Sequence, residues 1–209
     1  MDSRITNNTV VLIGEIVSGF TFSHEVYGEG FYTMDLAVRR LSNQVDVLSV
    51  LISDRLIDVT ENYSGHIVEI SGQFRSCNVR KGNRNGLALH VFAREITFFW
   101  PDAIDATKSN NITLTGFVCK KPKYRKTPLG REITDLLIAV NRPYGKSDYI
   151  PCITWGRDAR YVAGFEVGTA IEITGRIQSR EYSKCLEGGA VEIRTAYEVS
   201  VSKINLIQD

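Results

Sequence analysis

Apolar and polar residues alternate along most of this chain, and the alternation predicts strands. Ile171, Ile173 and Ile177 share one parity, while Glu172, Thr174, Arg176, Gln178, Arg180 and Tyr182 share the other. A strand sends alternate side chains to opposite faces, so the stretch has an apolar face and a polar one. Val68, Ile70 and Phe74 repeat the apolar half of that pattern. Asp46–Ser53 and Asp148–Gly156 form a second matched pair of strands, and Leu36–Val38 and Leu136–Val140 a third. Asp54–Asn62 and Asp158–Ala163 each suit a short helix, opened by an Asp or Ser cap and closed at Gly65 or Gly164. Lys81–Gly86 (KGNRNG) and Leu186–Ala190 (LEGGA) predict hairpin tips, where glycine accepts positive φ.

These matches belong to one internal repeat. Gly14 and Gly116 each close a short alternating run, VVLIG and ITLTG, at an offset of 102 residues. The same offset carries Ala37–Arg40 onto Ala139–Arg142 and Asp46 onto Asp148. After one inserted residue, Gly65 meets Gly168, Gly72 meets Gly175 and Glu95 meets Glu198. Two homologous domains follow, residues 1–103 and 108–209, joined near Pro101–Ser109. About five strands per copy, with a short helix between the third and fourth, predict an all-β chain of two tandem OB-fold five-stranded barrels. Two packed sandwiches would share much of the pattern.

The chain has 209 residues, 43% hydrophobic and 23% charged, which is a globular composition with enough apolar residues for a core. No apolar run is long enough for a membrane span and the start, MDSRITNNTV, has no signal-peptide segment, so a cytoplasmic location is expected. Cys77, Cys119, Cys152 and Cys185 are scattered and include no CxxC pair, which favours plain thiols over a metal or disulfide framework. His24, His66 and His90 have no metal-ligand spacing, and no GxSxG, P-loop or HExxH occurs. The chain is therefore expected to be no enzyme and to hold no metal or cofactor.

Charge divides the two copies. Residues 1–105 hold nine Lys and Arg against thirteen Asp and Glu, a net −4; residues 106–209 hold sixteen against eleven, a net +5. In the basic copy, Lys120, Lys121, Lys123, Arg125 and Lys126 cluster around Tyr124. Such a run is commonly a solvated turn. Here other features agree with it. Arg176, Arg180 and Tyr182 share a strand's polar face, Tyr149 and Trp155 share a parity on another strand, and Arg142, Tyr144 and Arg157 lie close to them in sequence. Trp155 is as readily a core residue as an exposed ring. Cations that follow phosphates and rings that stack on bases are what a sequence-tolerant single-strand site needs. The candidate nucleic-acid contacts are these fourteen residues.

Residues 111–204 resemble the bacterial single-stranded-DNA-binding protein family, OB-fold proteins that include the related primosomal protein N. The resemblance rests on LTGFVCKKPKYRKTPLG, LLIAVNR, DYIPCITWGRDA, GTAIEITGRIQSREY and EVSVSKI. It implies single-stranded DNA binding in replication, recombination or repair. Tyr149 and Tyr182 fall where the family has stacking Trp residues, Trp155 at another family aromatic, and Tyr144 corresponds only loosely. The first copy matches through the repeat: Tyr149 maps to Val47, Trp155 to Ser53, Tyr182 to Val79, Arg176 to Gln73 and Arg180 to Cys77. That copy is expected to have lost much of the platform, although Arg39, Arg40, Arg75, Arg80, Lys81 and Arg84 remain, and Phe20, Phe22, Tyr27, Phe31 and Tyr32 suit a core, a docking surface or other base contacts. The family assembles four OB domains, which a homodimer of this chain would supply and a monomer would halve. It recruits replication or repair proteins through a glycine-rich tail with an acidic tip; this sequence runs only to KINLIQD after its last strand. A protein-interaction or accessory subunit of a primosome or plasmid-transfer machine, using the fold for assembly, is the competing reading.

Overall fold

Among the described residues, the alternating runs form twelve strands, joined by one short α-helix and a single 3-10 turn at Pro143–Gly145. The computed structural model describes residues 7–81, 84–99, 109–185 and 191–207. The first half contains β1 (Asn8–Ile16), β2 (Thr21–Val26), β3 (Glu29–Arg39), β4 (Val45–Ser53), β5 (Ile67–Lys81) and β6 (Arg84–Phe99). The second contains β7 (Asn110–Val118), β8 (Lys123–Lys126), β9 (Glu132–Arg142), β10 (Lys146–Trp155), α1 (Gly156–Val162), β11 (Ala170–Cys185) and β12 (Val191–Leu206). β1 pairs with both β5 and β3, and the circuit β1–β3–β4–β6–β5 closes on itself. The circuit β7–β9–β10–β12–β11 closes likewise. Each half is thus a five-stranded barrel, with β2 or β8 added as a short edge strand beside β3 or β9.

Equivalent apolar residues fill the two cores. Leu12, Leu36, Val38, Ile70 and Phe74 are buried in one half, and Leu114, Ile138, Val140, Ile173 and Ile177 in the other. Ile171, Ile173 and Ile177 point inward, as do Val68, Ile70 and Phe74, matching the parity of the sequence. The repeated glycines mark close crossings. A Cβ on Gly14 or Gly116 would land on the carbonyl oxygen of Ala37 or Ala139, where each barrel closes. Gly116→Ala is therefore expected to destabilise the chain by about 1–3 kcal/mol in urea unfolding, since the obstruction is backbone. An unchanged midpoint and slope would show that the barrel closes without that contact.

Three expectations need correction. Asp54–Asn62 makes turns, not a helix. Asp58 Oδ1 accepts hydrogen bonds from the Thr60 N–H and O–H, and Asn62 Oδ1 accepts one from the Ser64 N–H. Such local bonds compete with helical ones. In the second half the helix begins at Gly156, before Asp158, and has no side-chain cap. Glu95 does not correspond to Glu198. Gly72 lies opposite Ala93 whereas Gly175 lies opposite Val201, so the last strands are offset by 108 residues and Glu95 corresponds to Lys203. The second hairpin is five residues longer than the first, and that difference moves the register. Residues 82–83 and 186–190 in the expected hairpin tips, and 100–108 at the expected junction, lie outside the described residues.

The halves meet about a pseudo-twofold axis. β1 and β7 pair antiparallel with Val10 opposite Ile112, its own repeat equivalent, and Asn8 opposite Leu114 mirrors Leu12 opposite Asn110. Two buried carboxylates cross between the halves. Asp46 Oδ1 accepts from the Ser179 N–H at 2.7 Å, and Asp148 Oδ1 accepts from the Ser76 N–H at 2.7 Å. Each carboxylate also pairs with an arginine of its own half, Arg40 or Arg142. The interface is thus a polar network repeated twice. Among the described residues, no helix is long and apolar enough to cross a membrane.

Candidate nucleic-acid interface

Strand register decides which candidates share a surface. Directly opposed residues of a β-pair lie on one face. Arg125 is opposite Ile133, and Ile133 is opposite Trp155. Ile153, two residues before Trp155, is beside Ser200, and Ser200 is opposite Arg176. Gln178, Arg180 and Tyr182 continue that face at alternate positions of β11. The Trp155 indole N–H donates to Ser200 Oγ at 3.1 Å, which holds the ring across β12 towards β11. Trp155 is 36% exposed and Tyr182 38%, so neither ring belongs to the core. The Arg180 guanidinium lies 5.9 Å from the Tyr182 ring centroid, within cation–π range.

A groove of about 560 Å³ runs along this face. Arg131, Trp155, Arg176 and Arg180 line it from the second half, and Arg40 and Gln44, at the turn between β3 and β4, line it from the first. Arg40 is locked in place. Its Nε and Nη2 donate to the two Asp46 carboxylate oxygens at 2.5 Å, and its Nη1 donates to Gln44 Oε1 at 3.0 Å. Arg176 is less satisfied: Nη2 reaches Gln178 Oε1 at 3.2 Å while Nε is buried with no hydrogen bond. Burial pulls the Arg176 guanidinium below its usual range, and nearby Arg40 adds to this, with Asp46 opposing. A phosphate entering the groove would supply a counter-charge that offsets both effects.

The other candidates separate. Tyr149 is 46% exposed but lines a different groove with Arg142 and Lys146, facing the first half. Arg142 lies 3.2 Å from Asp148, so much of its charge serves the interface. Tyr144 stands at the tip between β9 and β10, 98% exposed at φ +63°, a backbone region that non-glycine residues rarely occupy. Lys120 and Lys121 are exposed on the connection before β8, and Lys123, Tyr124, Arg125 and Lys126 form that exposed edge strand. Tyr124 faces away from Arg125. Its hydroxyl donates to Glu132 Oε1 at 2.7 Å, and Glu132 pairs with Arg160 of α1. Arg125 is held by Asp135 at 2.7 Å, and Arg157 is exposed on α1. The sequence reading missed Arg131 and Gln44, and named Arg40 only as a cation of the first copy. Arg131 follows the basic run closely, but nothing in the linear sequence placed Arg40 or Gln44 across from β11.

Among the described residues, no group of three or more His, Cys, Asp and Glu is placed to hold a metal. At the matched positions of the first half, Val47 is exposed and Ser53 is buried, while the Val79 side chain lies outside the described residues.

The chain is similar to known proteins in the sequence of its second half and in its fold. Residues 109–207 match the model of the Single-strand binding protein family. Single-stranded DNA-binding protein 3 of Listeria innocua is 35% identical over 80 residues, covering 35% of this chain and 50% of that protein. Single-stranded DNA-binding protein A of Bacillus subtilis is 36% identical over 80 residues, covering 35% and 46%. The chain thus spans about half the length of these curated relatives. The crystal structure of the single-stranded DNA binding protein from Thermus aquaticus superposes with a TM-score of 0.75 over 97% of this chain and 93% of that one, at 17% identity, which shows the shared fold across both halves. Residues 109–207, just under half of the chain, are thus similar to the Single-strand binding protein family.

Proposed function

We propose that this chain binds single-stranded DNA without catalysis, in replication, recombination or repair, and that its second half supplies most of the affinity. The observation that carries this reading is the continuous face holding Arg125, Trp155, Arg176, Arg180 and Tyr182. Rings there stack on bases and guanidinium groups follow the phosphates, so binding tolerates many sequences. The first half contributes Arg40 and Gln44 across the groove, which makes the site depend on how the halves dock. Assembly of two copies into a four-barrel particle, and contact with replication or repair proteins, belong to the same proposal.

Fluorescence-detected titration with oligo-dT and with duplex DNA, at low and moderate salt, tests it. Oligo-dT is expected to bind more tightly than duplex, with affinity falling as salt rises because phosphate contacts release counterions. Absence of oligo-dT binding at low salt overturns the proposal.

A further inference from the structure

We propose that the first half carries its own base-stacking site, built from His24, Phe31, Phe92 and Arg75 at strand positions different from those of the second half; this rests on the single-strand reading above. The four side chains form one stack-like group. His24 lies parallel to Phe31, with centroids 5.0 Å apart and planes 12° apart. Phe31 and Phe92 are 5.9 Å apart, and the Arg75 guanidinium sits 3.9 Å over the Phe92 ring.

Register places them on the first barrel's equivalent of the Trp155 face. His24 is opposite Phe31, Phe31 opposite Ser53, Leu51 beside Phe92, and Phe92 opposite Gln73. In the second half the ring comes from β10, as Trp155, and leans over Ser200 of β12. In the first half β4 offers only Ser53, and the ring comes from β6, as Phe92, at the position equivalent to Ser200. The ring has changed strands while the face has kept one. The acidic residue nearby is occupied: Glu29 accepts from the Ser53 hydroxyl at 2.6 Å and lies 3.4 Å from Arg55.

A second groove, about 470 Å³, connects this group to the other half. Arg75, His90 and Phe92 line it from the first half, and Arg142, Lys146 and Tyr149 from the second. It repeats the first groove by the pseudo-twofold, with two arginines from opposite halves brought close. Burial depresses the Arg75 guanidinium and the neighbouring Arg142 adds to it, as Arg40 does for Arg176. An anionic strand is the occupant whose charge offsets both. Tyr149, which the Trp155 groove leaves out, here faces the path from one barrel to the other.

The test uses the full chain and two oligo-dT probes, one of about 10 nucleotides to suit a single barrel and one of about 30 to span both, since OB folds occlude roughly 4–16 nucleotides each. The wild type is expected to take two short probes per chain. His24→Ala/Phe92→Ala is expected to take one, and to bind the long probe about five- to a hundredfold more weakly. Phe92→Leu, which keeps the volume without a ring, is expected to behave like the double variant and guards against a packing effect; thermal unfolding checks both folds. Unchanged stoichiometry and long-probe affinity overturn the inference and leave the proposed function standing. A wild type that binds neither probe overturns the proposed function itself.

Discussion

Trp155→Ala/Tyr182→Ala is expected to weaken oligo-dT binding by at least tenfold while leaving urea unfolding close to wild type. Each ring is more than one third exposed, so little core packing is lost. Across single-strand-binding proteins as a class, each stacked base is worth about 1–3 kcal/mol. Two such contacts therefore amount to one or more orders of magnitude in affinity. Trp155→Phe separates stacking from positioning. It keeps a ring but loses the hydrogen bond to Ser200, so it should lose much less than alanine. The two variants are compared by fluorescence anisotropy at fixed salt. Wild-type affinity in the double alanine variant would show that this face does not hold the strand.

Asp148→Ala should have the largest effect on stability, about 3–5 kcal/mol in denaturant unfolding. Asp148 is fully buried, accepts from the Ser76 N–H and hydroxyl, and neighbours Arg142. Its loss leaves a half-buried guanidinium without a counter-charge and a buried N–H without an acceptor, and both sit at the junction of the halves. Asp46→Ala is expected to cost a similar amount through Ser179 and Arg40. It should also weaken oligo-dT binding, because Arg40 in the groove is held by Asp46. Asp135→Ala provides the contrast. Its partner Arg125 is exposed, and an exposed pair is worth about 0–1 kcal/mol. Equal destabilisation by Asp135→Ala and Asp148→Ala would show that the crossing carboxylates do not hold the halves together.

Much of the fold was legible because strand periodicity is a local property. Inward Ile171, Ile173 and Ile177 and the matched glycines needed only spacing to be recognised. The helix over Asp54–Asn62 failed because Asp58 and Asn62 satisfy nearby backbone groups themselves, which composition does not reveal. The last strands failed because a longer hairpin changes the offset without leaving a mark on either strand. That error hid Phe92, whose true counterpart is Ser200. It left the first half without a counterpart for Trp155, where a different strand supplies the ring.

Parity alone put Arg176, Arg180 and Tyr182 on one face, since alternation along a single strand requires no partner. The company they keep was settled by pairing between residues far apart in the chain. Trp155 joins them through Ser200, Tyr149 turns to the other groove, Tyr124 turns to α1, and Arg40 arrives from the other half. Side-chain direction is encoded every second residue, whereas adjacency depends on register, hairpin length and the docking of two barrels, and those are properties of the folded chain as a whole.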